Sequence, residues 1–456
     1  MASQTDLSSA KRALLERRLR QSGSSSLLET SVPTTGPLVV VGYPRALQES
    51  FDGIQPLRSV VYVEEPDVAV GGRARTHLSS SVSVRELIEF EYQQPGAADA
   101  FVRTHPDLHP SAVLPGIEYA VPFAARLAEH YRVPGAGARA ADTLRDKATL
   151  RVVTAAAGIT NPRSRAVDGP DGVRRFMAEQ GGPIVLKPAN RQGAVGTMIL
   201  DEPDQIDGAW AACTVHDEGP TVPRRGLPLR MLAEQYVRGE EFSVEMLVRD
   251  GAAIFASVTA KALYAGPRPI EQGHVVPADV ADDQRHRLIE ETARVVTAVD
   301  FGTGFIHCEW IVSDGTPYLV ECAGRLPGDG IVELIEKAWE LEIVRIYTTV
   351  MKGQPVHDVI PGRPRRGAAV WFLDVPAGRV TAVHGVERAQ ALPGVERVGV
   401  KATVGCDVNE LRSSTDRAAF VLASGDDGAE ALRTAQRGIE AITITIAGMH
   451  DGGRRR

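Results

Sequence analysis

The sequence predicts a multidomain protein of mixed α/β and α+β class. Three observations carry that expectation. Short apolar runs ending in Gly or turn residues alternate with stretches of helical spacing through the first third. In the middle, long apolar strands surround Asp-Gly and Ser-Asp-Gly-Thr turns. The last hundred residues read as several strands and one helix. At roughly 150 residues per domain, 456 residues imply about three domains.

Taken in order, residues 1–36 are rich in Ser, Thr and charge. A short helix over 8–21 followed by a linker makes this a flexible N-terminal segment. PLVVVG (37–42) and SVVYVEE (59–65) read as buried strands, and 115–131 has helical spacing. These suggest a small parallel α/β domain over 37–135. Over 136–355 helices are expected at 142–157, 173–180, 283–299 and most of 330–352. Strands are expected at 182–189, 231–237, 241–251 and 252–263, with a hairpin at 304–325. Residues 356–456 read as a separate α+β unit, with strands near 367–374, 397–405 and 418–423 and a helix near 428–441.

Composition excludes several classes. Hydrophobic residues make up 43% and charged residues 24%, which rules out wholesale disorder or a rod. The net charge of −7 gives no basic field for nucleic acid. No apolar run reaches the roughly 20 residues needed to span a bilayer. The N-terminus lacks an apolar signal core, so a cytoplasmic location is expected. Cys213, Cys308, Cys322 and Cys406 form no CxxC and read as reduced, mostly buried thiols. The basic residues are 7 Lys and 44 Arg. A Lys inside a motif is therefore informative, because an ammonium and a guanidinium are not interchangeable.

Several motifs are missing. There is no GxxxxGK[ST], no HExxH and no GxSxG. GAGARA (135–140) matches GxGxxA by letter but opens no clear βαβ unit, and reads as plain loop.

What remains points to phosphate and metal chemistry. Lys147 starts a helix in RDKATLR. Lys187 ends an apolar strand in PIVLKPAN, where an unpaired ammonium would be costly. The loop NRQGAVGT (190–197) follows, and Gly193 and Gly196 allow backbone N–H groups close to an anion. In AEQYVRGEEFSVE (233–245), Glu234 to Val237 could offer backbone groups to an adenine and Glu241 a carboxylate to ribose. The hairpin 304–325 carries His307, Glu309 and Glu321. His307 and Glu309 share a face by strand periodicity. A three-residue loop of Asp314, Gly315 and Thr316 would set Ser313 opposite Pro317 and Glu309 opposite Glu321. A two-residue loop would set Glu309 opposite Val320 and turn the carboxylates to different faces. Opposed carboxylates repel, and a divalent cation such as Mg²⁺ or Mn²⁺ would turn the pair into a binding site. Arg325, in ECAGRLPGD just past this strand, could bind a phosphate or carboxylate bidentately.

The ordered set of features resembles the ATP-grasp superfamily over about 37–355. GHVVPA (273–278), GFIHCE (304–309) and ECAGRLPGD (321–329) look most like the L-amino-acid ligase type of carboxylate–amine ligase. The resemblance implies an ATP-grasp fold over 136–355, an N-terminal parallel α/β domain and a C-terminal α+β domain. It implies that Lys147 and Lys187 hold ATP phosphates. Glu234, Gln235 and Val237 would line the adenine site, and Glu241 would bind ribose. Glu309 and Glu321 would hold two Mg²⁺ ions, with Mn²⁺ as a substitute. Arg325 would bind the reacting carboxyl or its acyl phosphate, and His274 would face the substrate. Lys261, in TAKAL, is an additional cationic candidate. Two departures stand out: Ala323 replaces an Asn common among relatives, and Ala194 replaces a Ser, leaving Thr197 to supply a hydroxyl.

The implied reaction joins an amino acid carboxylate to an amine through an acyl phosphate, with release of ADP and phosphate. The loop 190–197 and the central β subdomain would act as lids against water. Partners are small-molecule amino acids, with no nucleic acid or membrane, and a homodimer is compatible with the sequence. Two alternatives stand beside this reading: a carboxylase of the biotin-carboxylase type, and a non-catalytic nucleotide-binding protein.

Overall fold

The structure is a computed structural model that describes residues 36–71, 74–215, 222–225 and 228–447. Of the N-terminal segment expected over 1–36, the helix at 8–21 and all of the linker but Gly36 lie outside the described residues. The first sheet is parallel, in the order β3-β2-β1-β4, with β1 Leu38–Val41, β2 Val60–Glu64, β3 Val84–Glu89 and β4 Ala112–Pro115. Strands β1 and β2 are buried throughout, as the unbroken apolar runs require of a sheet covered on both faces. The helix Val121–Tyr131 packs Phe123, Ala124 and Leu127 onto this sheet.

A second sheet of β5 Ser164–Val167, β6 Ile184–Pro188, β7 Met198–Leu200 and β8 Met231–Gln235 runs in the order β5-β8-β6-β7. Its core is Ile184, Leu186, Val173, Phe176 and Ala233. The helix expected at 142–157 is two, Ala138–Leu144 and Lys147–Ala156. The break is made by Asp146, whose side chain accepts from the Thr149 N–H and caps the second helix.

The third sheet has eight strands, β13-β12-β9-β10-β11-β14-β18-β16. They are β9 Glu240–Arg249, β10 Ala252–Leu263, β11 Glu271–Val276, β12 Gly304–Ser313, β13 Thr316–Ala323, β14 Gly367–Leu373, β16 Val395–Val400 and β18 Ala419–Gly425. The border expected near 355 does not separate the sheets: β11 pairs with β14 from Gly273↔Trp371 to Val276↔Ala368. A side chain at Gly273 would collide with the Trp371 ring at 2.2 Å, so this close pairing needs glycine. The remaining three strands, β17 Asp407–Val408, β15 Gly378–His384 and β19 Thr443–Ile446, form a small sheet of their own.

Strand periodicity divides the large sheet's faces. On β9, Phe242, Val244, Met246 and Val248 pack under the helix Asp282–Val299 together with Ile306, Cys308 and Trp310 of β12. The opposite face is apolar at Leu247, Phe255 and Phe305, where the helices Ile331–Trp339 and Ile343–Met351 cover it. Further along that face the same alternation presents Glu241, Ser243 and Glu245 on β9, and His307 and Glu309 on β12. The charged end of one sheet face is thus a direct product of sequence alternation.

Candidate active site

The charged face opens into a cavity of about 870 Å³. Its wall brings together Lys147, Lys187, Gly193, Glu234, Gln235, Val237, Glu241, Lys261, His274, Glu309, Glu321 and Arg325. Of the sequence-derived candidates, Gly196 alone is not part of that wall. Its positive φ of 71° and a Cβ position 2.7 Å from the Cys213 carbonyl oxygen tie it to loop shape instead.

At one end of the cavity, Lys187 emerges from β6 almost wholly buried, with its Nζ 2.6 Å from Glu234 Oε2 on the neighbouring β8. Glu234 also accepts from Arg151 Nε at 2.8 Å. Burial pushes the Lys187 amine below its ordinary value, and although Glu234 opposes this, Arg151 and Lys147 add to it. Burial also penalises the Glu234 carboxylate, yet the two cations hold it below the usual range. Two buried cations share one carboxylate, which leaves a surplus positive charge beside the loop 190–197. Val237 is buried, and its N–H has no backbone partner among the described residues.

At the centre, Glu309 lies opposite Glu321 across β12 and β13. The loop between them is not the three-residue loop expected. Ser313 pairs with Thr316, and Asp314 and Gly315 form a two-residue turn with φ of 48° and 73°. The expected opposition survives because the ladder shifts between Trp310↔Leu319 and Glu309↔Glu321, leaving Val320 as a bulge. Lys147 Nζ sits 2.7 Å from Glu321 Oε2. Lys261 Nζ sits 2.7 Å from Glu309, 3.0 Å from Glu241 and 3.3 Å from Glu271. Burial works against the Lys261 charge, but the three carboxylates outweigh it and raise its pKa well above the ordinary value. Glu241 is raised by its burial despite Lys261. His307 donates from Nδ1 to Glu245 at 2.9 Å and from Nε2 to Glu309 at 3.2 Å. Burial alone would lower its pKa, but the two carboxylates carry it to about 9.

At the far end, Arg325 is largely buried rather than on the surface. Its Nε donates to Glu118 at 2.9 Å and its Nη1 to the Leu326 carbonyl at 2.8 Å. His274 stands opposite Lys261 in the β10–β11 register, with Nε2 3.5 Å from Asp329 and no partner for Nδ1 among the described residues. Arg417, from the C-terminal hundred residues, grips both Asp329 oxygens and lies 3.6 Å over the Phe372 ring. Burial opposes ionisation of Asp329, yet Arg417 and His274 hold its carboxyl far below the usual range.

Comparison with known proteins bears on the fold that carries this arrangement. Residues 180–333 match the ATP-grasp domain model. The chain carries an ATP-grasp domain and has the ATP-grasp fold. Residues 371–447 match a second model, L-amino acid ligase C-terminal domain 2. The crystal structure of L-amino acid ligase from Bacillus licheniformis superposes with a TM-score of 0.72 at 19% identity, covering 91% of this chain and 99% of that one. Alanine–anticapsin ligase of Bacillus subtilis is 21% identical over 241 residues, 50% of this chain and 51% of the relative. A formate-dependent phosphoribosylglycinamide formyltransferase of Parasynechococcus marenigrum is 26% identical over 347 residues, 70% of this chain and 82% of the relative. The chain spans about half the length of several of the first curated relatives it matches.

ATP-grasp proteins use ATP with a divalent metal. Among the described residues no group of three or more His, Cys, Asp or Glu is disposed to hold a metal ion. The donors nonetheless fit Mg²⁺ bound together with a nucleotide. Mg²⁺ takes one or two carboxylates from the protein and fills its octahedron with phosphate oxygens and water. Glu309 and Glu321 supply an oxygen-only pair of that kind. No helix among the described residues is long and apolar enough to cross a membrane.

Among the groups around this cavity that sequence reasoning missed are Arg151, Glu245, Glu271 and Arg417. Arg151 carried a readable signal, since it lies four residues after Lys147 and so on the same helix face. Glu245, Glu271 and Arg417 carried none, because their partners are set by strand pairing and long-range packing.

Proposed function

We propose that this protein is an ATP-dependent carboxylate–amine ligase. It joins an amino acid carboxylate to an amine through an acyl phosphate and releases ADP and phosphate. The observation that carries this reading is the continuity of one cavity. It runs from the surplus cations at Lys187 past the opposed Glu309 and Glu321 to Arg325 and His274.

In the first step a carboxylate oxygen attacks the γ-phosphorus of ATP, and the bond to ADP breaks. Lys147 and Lys187 offset the negative charge of the phosphates, with ATP's adenine against the Glu234–Val237 backbone and its ribose at Glu241. Glu309 and Glu321 would hold a divalent cation, which would supply charge neutralisation to the phosphates. Arg325 holds the reacting carboxyl and then the acyl phosphate. In the second step the amine attacks the acyl carbon, phosphate leaves, and an amide remains. The amine must lose a proton, and His274, a residue of the cavity wall, is the group assigned to take it. The loop 190–197 keeps water from the acyl phosphate.

The match of residues 371–447 to an L-amino acid ligase domain supports an amino acid as the carboxylate donor. The likeness to the formyltransferase supports formate as the second candidate donor. The test is phosphate release with ATP, Mg²⁺ and the twenty amino acids taken pairwise, with formate and with bicarbonate plus biotin as separate arms. Release confined to amino acid pairs is expected, with the amide found by mass spectrometry. Release only with bicarbonate and biotin, or with no acceptor at all, would overturn the reading.

A further inference from the structure

We propose that Arg151 is a positioning residue that couples the nucleotide-contacting strand β8 to the metal-facing carboxylate of Glu321, by holding the Val320 bulge. This inference rests on the function proposed above. The guanidinium is almost wholly buried and faces two ways. Its Nε donates to Glu234 Oε1 at 2.8 Å, on the strand assigned to adenine. Its Nη2 donates to the Val320 carbonyl at 2.6 Å. A third, longer contact reaches Asn161 Oδ1 at 3.4 Å.

Val320 matters because of register. The Asp314-Gly315 turn sets the pairs from Ser313↔Thr316 to Trp310↔Leu319. Continued without interruption, that ladder would put Val320 opposite Glu309 and send Glu321 to the other face of the sheet. The face on that side is the packed apolar one of Cys308 and Trp310. The extra residue at 320 restores Glu309↔Glu321, but a bulge takes its residue out of the ladder. Strand β13 is an edge of the sheet. Its outward groups here are met by protein: the Leu319 N–H donates to the Thr160 carbonyl at 3.0 Å, and the Val320 carbonyl accepts from Arg151. Without that donor the bulge leaves a part-buried carbonyl without its protein partner, which is costly. Lysine could keep the charge beside Glu234, but a point charge cannot span both partners as the planar fork does.

The test measures binding of a non-hydrolysable ATP analogue by calorimetry, once with excess Mg²⁺ and once with EDTA. In the wild type Mg²⁺ is expected to tighten binding. Arg151→Lys is expected to bind the analogue in EDTA nearly as well as wild type but to lose about 10- to 100-fold of the metal gain, as removal of partners behind metal ligands generally does. A deletion of Val320 removes the bulge while leaving Glu321 opposite Glu309. In that background Arg151→Lys is expected to keep the metal gain. A purely structural role for Arg151 would weaken both conditions equally and would not be rescued by the deletion. An unchanged metal gain in Arg151→Lys overturns the proposal. If Arg151→Lys alone does not fold, a double variant that also fails to fold or to gain from Mg²⁺ overturns it. A wild type that binds the analogue with no metal gain would overturn the ligase reading together with this coupling, which separates that failure from a failure of the coupling alone.

Discussion

Glu309 faces Glu321 across β12 and β13 because Val320 stands out of the ladder between Leu319 and Glu321. Two carboxylates so placed repel each other unless cations intervene, and Lys261 and Lys147 each take one of them. Glu321→Gln removes one charge and keeps the shape. Phosphate release is expected to fall by about 10²-fold or more, the scale of losing a preorganised charge contact in the transition state. The melting temperature should stay near that of the wild type. Normal turnover in this variant would remove Glu321 from the reaction.

Lys187→Ala should weaken nucleotide binding. The phosphates would lose a buried, hydrogen-bonded partner, a loss of about 2 kcal/mol or more, which is roughly 30-fold in affinity. The Arg151–Glu234 pair remains to satisfy the carboxylate. Calorimetry with ATP checks this, and an unchanged affinity would refute the role given to Lys187.

Arg325→Ala is expected to keep nucleotide affinity close to wild type and to lower amide formation by about 10²–10³. Arg325→Lys should not rescue fully, because an ammonium cannot reproduce a bidentate fork. Phosphate release at saturating ATP and both amino acids is the measurement. Normal rates in Arg325→Ala would leave carboxyl recognition to His274 or Lys261.

Glu336 gives a pH dependence of stability. Burial lifts its carboxyl from the ordinary 4.5 to about 7, only partly offset by the Val344 N–H it accepts. A raised pKa means that the folded state holds the proton more tightly than the unfolded one. The contribution is full below about 4.5 and is lost as pH rises through about 7, at most about 3 kcal/mol over the window. Glu336→Gln keeps an acceptor for Val344 and removes the titration. Its melting temperature should therefore gain on the wild type as pH goes from 5 to 8. A constant difference across that range would contradict the assignment.

Local pattern made most of this molecule legible. The unbroken apolar runs of β1 and β2 announced a covered parallel sheet, and the alternation along β12 set His307 and Glu309 on one face before any partner was known. Lys187 was readable because an ammonium at the end of an apolar strand demands a reason. The hairpin register was reached through the wrong loop: a bulge compensates a two-residue turn, and no local signal in TPYLVEC distinguishes that from a longer turn. Lys261 stood out as a cation, but its three carboxylates come from β9, β11 and β12, which only the sheet order brings together. The separate C-terminal unit was expected because residues 356–456 read as several strands and a helix of their own, while the pairing of β11 with β14 is a contact across nearly a hundred residues of sequence.

That pairing makes the last hundred residues more than an appendage. Strand β11, which carries His274, has β10 on one side and β14 on the other. A chain cut after residue 355 would leave the outer backbone groups of β11 without partners, next to the bare notch at Gly273 where Trp371 now sits. An open strand of that kind recruits other chains. The trailing domain therefore covers an edge that would otherwise be open to pairing, and the wall holding His274 is sealed by a strand far along the chain from it.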